Sequence, residues 1–130
     1  MLLDTSGLLC LLYDVEPYHE QALALYDAAW RRLTHSYVLA ELVVLAHTRR
    51  LPRPPVLALA SQLMDSPEVE LVWVDEPLHR EAMALLAARA DKTYSLCDAV
   101  SFVLMRRRGL VEALTTDRHF EQEGFRRLLS

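Results

Sequence analysis

Four acidic side chains stand in this sequence where an acid needs a reason. Asp4 stops the apolar run Met1-Leu2-Leu3, and Glu41 is the only formal charge between Tyr37 and Ala46. Asp98 follows Ser95 by three residues at the head of an apolar stretch, and Asp117 lies in the run Thr115-Thr116-Asp117-Arg118-His119-Phe120. Each has an ordinary explanation when taken alone. Asp4 suits the N-cap of a following helix. Asp98 fits a capping box with Ser95, although aspartate is one methylene shorter than the usual glutamate. Asp117 can bond its own backbone in a turn, and Glu41 can be neutralised by a nearby arginine.

Collected in one pocket, the same acids have a different chemistry. Two carboxylates about 5 Å apart, at an effective dielectric near 20, repel by on the order of 3 kcal/mol. A fold whose whole stability is about 5–15 kcal/mol tolerates several such pairs only with protons or cations among them. Oxygen donors without a thiolate or paired histidines favour Mg2+ or Mn2+ over zinc. His19, His35, His47, His79 and His119 form no HxxH or HExxH spacing and read as surface or satisfied core groups, with His119 nearest the acids.

Bringing the four together is the task of the elements between them. Met1 to Leu3 reads as a buried strand, followed by a helix over Leu8 to Tyr13. Glu16-Pro17 opens a second helix that ends near Arg32, and Leu33 to Ser36 is a candidate strand. Tyr37 to Ala46 is apolar nearly all round, the mark of a buried helix, and it stops before Pro52. Pro54-Pro55 starts another helix that runs to about Met64. Glu68 to Val74, rich in Val and Trp, suits a strand, and Leu78 to Ala90 a helix. Ser95 caps a strongly patterned helix, Leu96 to Arg108, which Gly109 closes. Val111 to Thr115 and Gly124-Phe125 to Leu129 complete the strands. This alternation predicts an α/β fold with a mostly parallel sheet of about five short strands and helices on both faces. Such sheets bind ligands beyond the carboxyl ends of their strands, where Asp4 and Asp117 fall.

With 130 residues, 52% hydrophobic and 25% charged, the chain has the composition of one globular domain spanning 1–130 rather than a disordered segment. A net charge of −4 excludes a protein that grips nucleic acid by overall basicity. Its basic residues are all arginine except Lys92, and several are grouped at expected helix ends, where cations complement the helix dipole. Arg118 and the run Arg106, Arg107 and Arg108 are the candidates for gripping phosphate. Cys10 and Cys97 are too few for a disulfide framework and read as buried thiols. No apolar stretch approaches the roughly 18 residues of a membrane span. The N-terminus lacks the basic start of a secretory signal, so the expected location is the cytoplasm.

The chain resembles the PIN-domain ribonucleases, and within them the VapC-type toxins of toxin–antitoxin pairs. The likeness spans nearly the whole chain. It is carried by Leu3-Asp4-Thr5-Ser6, Ala40-Glu41-Leu42, Ser95-Leu96-Cys97-Asp98-Ala99-Val100-Ser101 and the run around Asp117, followed by Gly124-Phe125. The resemblance implies a three-layer α/β/α sandwich. It makes Asp4, Glu41, Asp98 and Asp117 the catalytic, metal-binding acids, with Thr5, Ser6 and Thr116 as hydroxyls behind them. It implies one or two Mg2+ or Mn2+ ions, metal-assisted hydrolysis of RNA without a covalent intermediate, a homodimer, and a cognate antitoxin that occludes the acidic pocket. Two rivals are a PIN fold acting as an RNA- or protein-binding module with little nuclease activity, and a receiver-like phosphoacceptor. The second needs a lysine near its acceptor, and Lys92 lies outside any strand-end motif.

Overall fold

The computed structural model describes every residue from Met1 to Ser130. Five short strands, β1 (Leu2–Leu3), β2 (Leu33–His35), β3 (Glu70–Val72), β4 (Glu112–Leu114) and β5 (Arg126–Arg127), form one sheet in the order β3-β2-β1-β4-β5. Every pairing is parallel, with Leu2 opposite Leu33 and Leu3 opposite Leu114. Parallel neighbours require crossovers, here mostly helical. Around the sheet lie α1 (Thr5–Leu12), α2 (His19–Ala28), α3 (Ser36–Thr48), α4 (Arg53–Asp65), α5 (Glu76–Ala88), α6 (Leu96–Arg108) and α7 (His119–Gln122). The chain fills one side of β1 with β2 and β3, then crosses to β4 and β5 on the other. The topological switch therefore lies between β1 and β4, and every carboxyl end faces the same edge.

Successive strand residues point to opposite faces, so Leu3 and Leu114 enter one core while Leu2 and Ala113 enter the other. The first core packs against α1, α3 and α4. The second is built on α6, whose residues Cys97 through Met105 are all buried. Phe102 packs edge-on against Tyr94 and Phe120 and stacks on Phe125. Both ends of α6 are closed by local chemistry. Ser95 Oγ accepts from the Asp98 amide and Asp98 Oδ2 from the Ser95 amide, each at 3.0 Å, while Gly109 adopts φ +65 at the C-terminus.

Contact between α1 and β4 depends on Gly7. A Cβ there would lie 2.0 Å from the Leu114 carbonyl oxygen and 2.9 Å from Leu114 Cγ. Gly7→Ala is therefore expected to push α1 off β4 and cost about 1–3 kcal/mol, the scale of overpacking a core, which lowers the melting temperature by several degrees. An unchanged thermal unfolding midpoint would show that β4 yields without cost.

Several helices differ from expectation, beginning with α1, which starts at Thr5 rather than Leu8 and ends at Leu12. Helix α2 begins at His19 rather than Glu16, because Glu16 is buried in the preceding turn, where Arg49 pairs with it at 2.5 Å. It also ends at Ala28, leaving Ala29 to Arg32 as an open connection. Helix α3 is not buried all round. It packs on α1, α4 and α6 through Val38, Leu39, Leu42 and Ala46, and Val44 is left 64% exposed. A domain of this size covers one side of the helix and has nothing left for the other. Helix α7 was not anticipated, since four residues are too few for a helical periodicity to register.

Candidate active site

Asp4 leaves β1 at the switch point and Thr115 to Asp117 leave β4 beside it. Asp4 occupies the N-cap position of α1, yet its side chain caps nothing. It accepts instead the hydroxyl proton of Thr115, with Oγ1 2.7 Å from Oδ2. Asp98, in the first turn of α6, accepts the Ser95 amide and also His119 Nδ1, at 3.0 Å, both on Oδ2. Asp117 Oδ1 accepts the His119 amide at 2.9 Å and lies 3.5 Å from the same imidazole nitrogen. One ligand atom each from Asp98, Asp117 and His119 fall within 4.8 Å of one another. The capping role of Asp98 and the turn role of Asp117 are both real, and neither prevents these acids from meeting.

The charges make themselves felt. Burial pushes the Asp4 carboxyl up to about 7, helped by the negative Asp98 and Glu41 and opposed by the Thr115 hydroxyl and the Thr5 amide. Asp98 is also raised, first by burial and further by Asp117, against the Ser95 amide and His119. Cys97 lies among the acids, and burial with Glu41, Asp4 and Asp98 pushes its thiol up, so it stays protonated and inert. Glu41, half-buried on α3, pairs with no arginine, so the neutralised-ion-pair explanation fails for it. Through Asp4 and Cys97 it acts on the same cluster.

The hydroxyls sort themselves by strand parity. Thr115 is fully buried and reaches Asp4, while half-buried Thr116 contributes its backbone, whose amide donates to Ser6 Oγ at 2.9 Å. Ser6 Oγ also lies 3.1 Å from Thr115 Oγ1. Thr115, absent from the residues singled out in the sequence, thus supports Asp4 where Thr116 was expected. Period-two alternation counted from Ala113 was the signal that could have found it. Thr5 Oγ1 is buried beside Asp4 without a hydrogen-bond partner. His119 is more than a neighbour. Its Nε2 bonds Thr93 Oγ1 at 3.1 Å while Nδ1 holds Asp98, tying α7 to the loop before α6. Glu123, with its side chain 2% exposed, fastens the end of α7 to Arg89 and Arg106.

Arg118 is exposed beside Asp117. The run Arg106, Arg107 and Arg108 sits at the opposite end of α6 from Asp98, roughly 15 Å along the helix. There Arg106 pairs with Glu123, Arg107 with Glu81, and Arg108 with Glu70. These three are engaged in the ion pairs of the fold and are not gathered with the acids.

Comparison with known proteins agrees with this architecture. The family model for the PIN domain matches residues 1–125. The 23S rRNA-specific endonuclease VapC20 of Mycobacterium tuberculosis, from two strains, is 34% identical over 93 residues, covering 72% of this chain and 70% of the relative. The crystal structure of M. tuberculosis VapC20, described as a sarcin-ricin loop cleaving toxin, superposes with a TM-score of 0.88 at 28% identity, over 99% of this chain and 98% of that one. FitAcB from Neisseria gonorrhoeae shares the fold at a TM-score of 0.62 and 19% identity, over 94% and 91% of the two chains. The parallel sheet between two helical layers, its acid-lined carboxyl edge and these likenesses converge: the chain belongs to the PIN-domain family, among the VapC-type toxin endoribonucleases.

Proposed function

We propose that the chain, acting over residues 1–130 as one nuclease unit, hydrolyses RNA phosphodiester bonds with Mg2+ or Mn2+ held by Asp4, Glu41, Asp98 and Asp117. The observation that supports this reading is that Asp98 and Asp117 meet at His119, with Asp4 and Glu41 near enough to act on the same group of charges, and that no arginine or lysine pairs with any of the four. Such a donor set fits a hard divalent ion, and the orphaned Thr5 hydroxyl adds a further oxygen at its margin. When bound, that ion supplies charge neutralisation and Lewis acidity toward the scissile phosphate and an attacking water.

The chain's own residues prepare that site. Thr115 holds Asp4 through Oδ2, and the Ser95 amide holds Asp98 through its own Oδ2. His119 keeps Asp98 and Asp117 at a fixed separation. The protonated Cys97 offers no competing nucleophile. Arg118 is the candidate for meeting substrate phosphate at the pocket mouth. The activity of the relative makes a structured rRNA loop the first substrate to try. A cognate antitoxin and a homodimer are the expected partners, and the exposed apolar residues Val44 of α3 and Leu57 and Met64 of α4 support a protein contact there. No helix is long and apolar enough to cross a membrane.

The test is cleavage of structured RNA by the metal-stripped protein, with EDTA or with added Mg2+ or Mn2+. Cutting that needs the added ion supports the reading. Undiminished cutting in EDTA counts against it, and no cutting under any condition favours the binding-module alternative.

A further inference from the structure

The end of the sheet opposite the acids carries an unabsorbed feature. Trp30, in the open connection between α2 and β2, is 92% exposed. A cavity of about 480 Å³ lies on one side of it, lined by Met1, Val111, Leu128 and Arg126 among others. A second of about 250 Å³ lies on the other, reaching Pro67 and Val69. Trp30, Arg31 and Leu110 line both, so the indole stands in the middle of a groove that crosses the amino ends of the strands. An isolated exposed tryptophan is costly to keep, and aromatic side chains beside arginine are suited to receive the face of a base.

The surroundings are cationic. Glu112 is taken by Arg126 at 3.0 Å and Glu70 by Arg108 at 2.7 Å, which leaves Arg31 and Arg32 against Glu68, with Arg32 held by the Tyr26 carbonyl and Arg31 in no ion pair. A second copy docking here about a two-fold axis would set Arg31 near Arg31, which disfavours self-association. The edge strand β5 runs from the groove toward the acids. Arg126 lines the groove, and the next residue on the edge strand, Arg127, donates to the Thr116 carbonyl beside Asp117. From Glu112 to Asp117 is at most roughly 17 Å of extended chain, a span of a few nucleotides for an RNA strand running along β5.

We propose that this groove is a second RNA-contacting surface, where Trp30 stacks an unpaired base and Arg31 meets a phosphate of single-stranded RNA whose continuation enters the acidic pocket. The choice of RNA rests on the nuclease reading above. The probe is fluorescein-labelled oligoadenylate, titrated in EDTA into the full chain carrying Trp73→Phe, so that Trp30 is the only indole. Binding is expected to quench Trp30 emission. Read by fluorescein anisotropy, Trp30→Ala should weaken binding about 10-fold, and Arg31→Ala should weaken it and lower the salt slope by about one. With metal restored, Trp30→Ala should lower kcat/KM on a long loop-containing RNA and leave kcat unchanged, while a fragment too short to reach the groove is cut equally by both proteins.

Equal affinity of the variants for oligoadenylate overturns the proposal. So does quenching produced only by raising the protein concentration, or only by oligoglutamate, since these assign the groove to a second copy or to an acidic peptide. Should Trp30-dependent binding hold while no metal supports cutting, the nuclease reading falls and the surface stands. Normal cutting of the long RNA by Trp30→Ala sinks the surface and spares the nuclease.

Discussion

Asp4→Asn is expected to melt higher than the unaltered chain in metal-free buffer near pH 8 and to cut RNA on the order of 10²–10³-fold more slowly, the scale of deleting one preorganised charged group. Asp4 is only 4% exposed and its carboxyl is pushed up to about 7. Because the folded value lies above the unfolded one, the fold favours the protonated acid. That contribution is complete at acid pH and is lost as pH rises from roughly 4 toward 7, where the fold must carry a buried charge. Asparagine carries none at any pH, and its carbonyl can still accept the Thr115 hydroxyl. The melting-temperature difference between the two proteins should therefore be small near pH 4 and reach its plateau above about pH 7. The displacement corresponds to a few kcal/mol, of which the buried amide returns only part, leaving a gain of several degrees. A variant that melts lower at every pH, or that retains its activity, would remove Asp4 from the site.

Restoring the ion should have the converse effect. Mg2+ or Mn2+ at about 100 times its Kd contributes roughly 2.7 kcal/mol, or on the order of 10 °C for a domain of this size. The increment should be large near pH 8 and much smaller near pH 5.5, because the ligands bind metal only when ionised. A second buried group shapes the metal-free background. His35 is wholly inaccessible, its Nε2 is 2.8 Å from Ser101 Oγ, and burial pushes it down to about 3. Its folded value lies below the unfolded one, so its contribution is present above about pH 6.5 and lost as pH falls toward 3. Asp4 and His35 thus slope in opposite directions between about pH 4 and 6.5, and the metal-free profile should be shallow there. Differential scanning fluorimetry with and without ion at both pH values measures this. An equal increment at both, or one retained when Asp4 and Asp98 are both changed to asparagine, would mean that the ion binds elsewhere.

Much of this site is written in local chemistry. Ser95 and Asp98 declare the start of α6 and Gly109 its end, because capping bonds and a left-handed closing residue act within a few positions. The same locality made Asp98 ambiguous, since the oxygen that caps the helix is also the one His119 holds. Trp30 could not be assigned from its neighbours either, because its exposure depends on α2 stopping at Ala28. The apolar surround of Glu41 suggested full burial for a helix that the fold covers on one side only.

Element types and the alternation that makes a parallel sheet were determined by the sequence itself, because periodicity, caps and turns arise between residues close along the chain. Which side chains meet was decided by the tertiary structure alone. Thr115 reaches Asp4 across 111 residues of chain, and His119 reaches Asp98 across 21. Those meetings follow from strand order and register, which set β4 beside β1 and bring Thr115 level with Asp4. Order and register are fixed by packing two cores at once, a condition that no single stretch of residues can state.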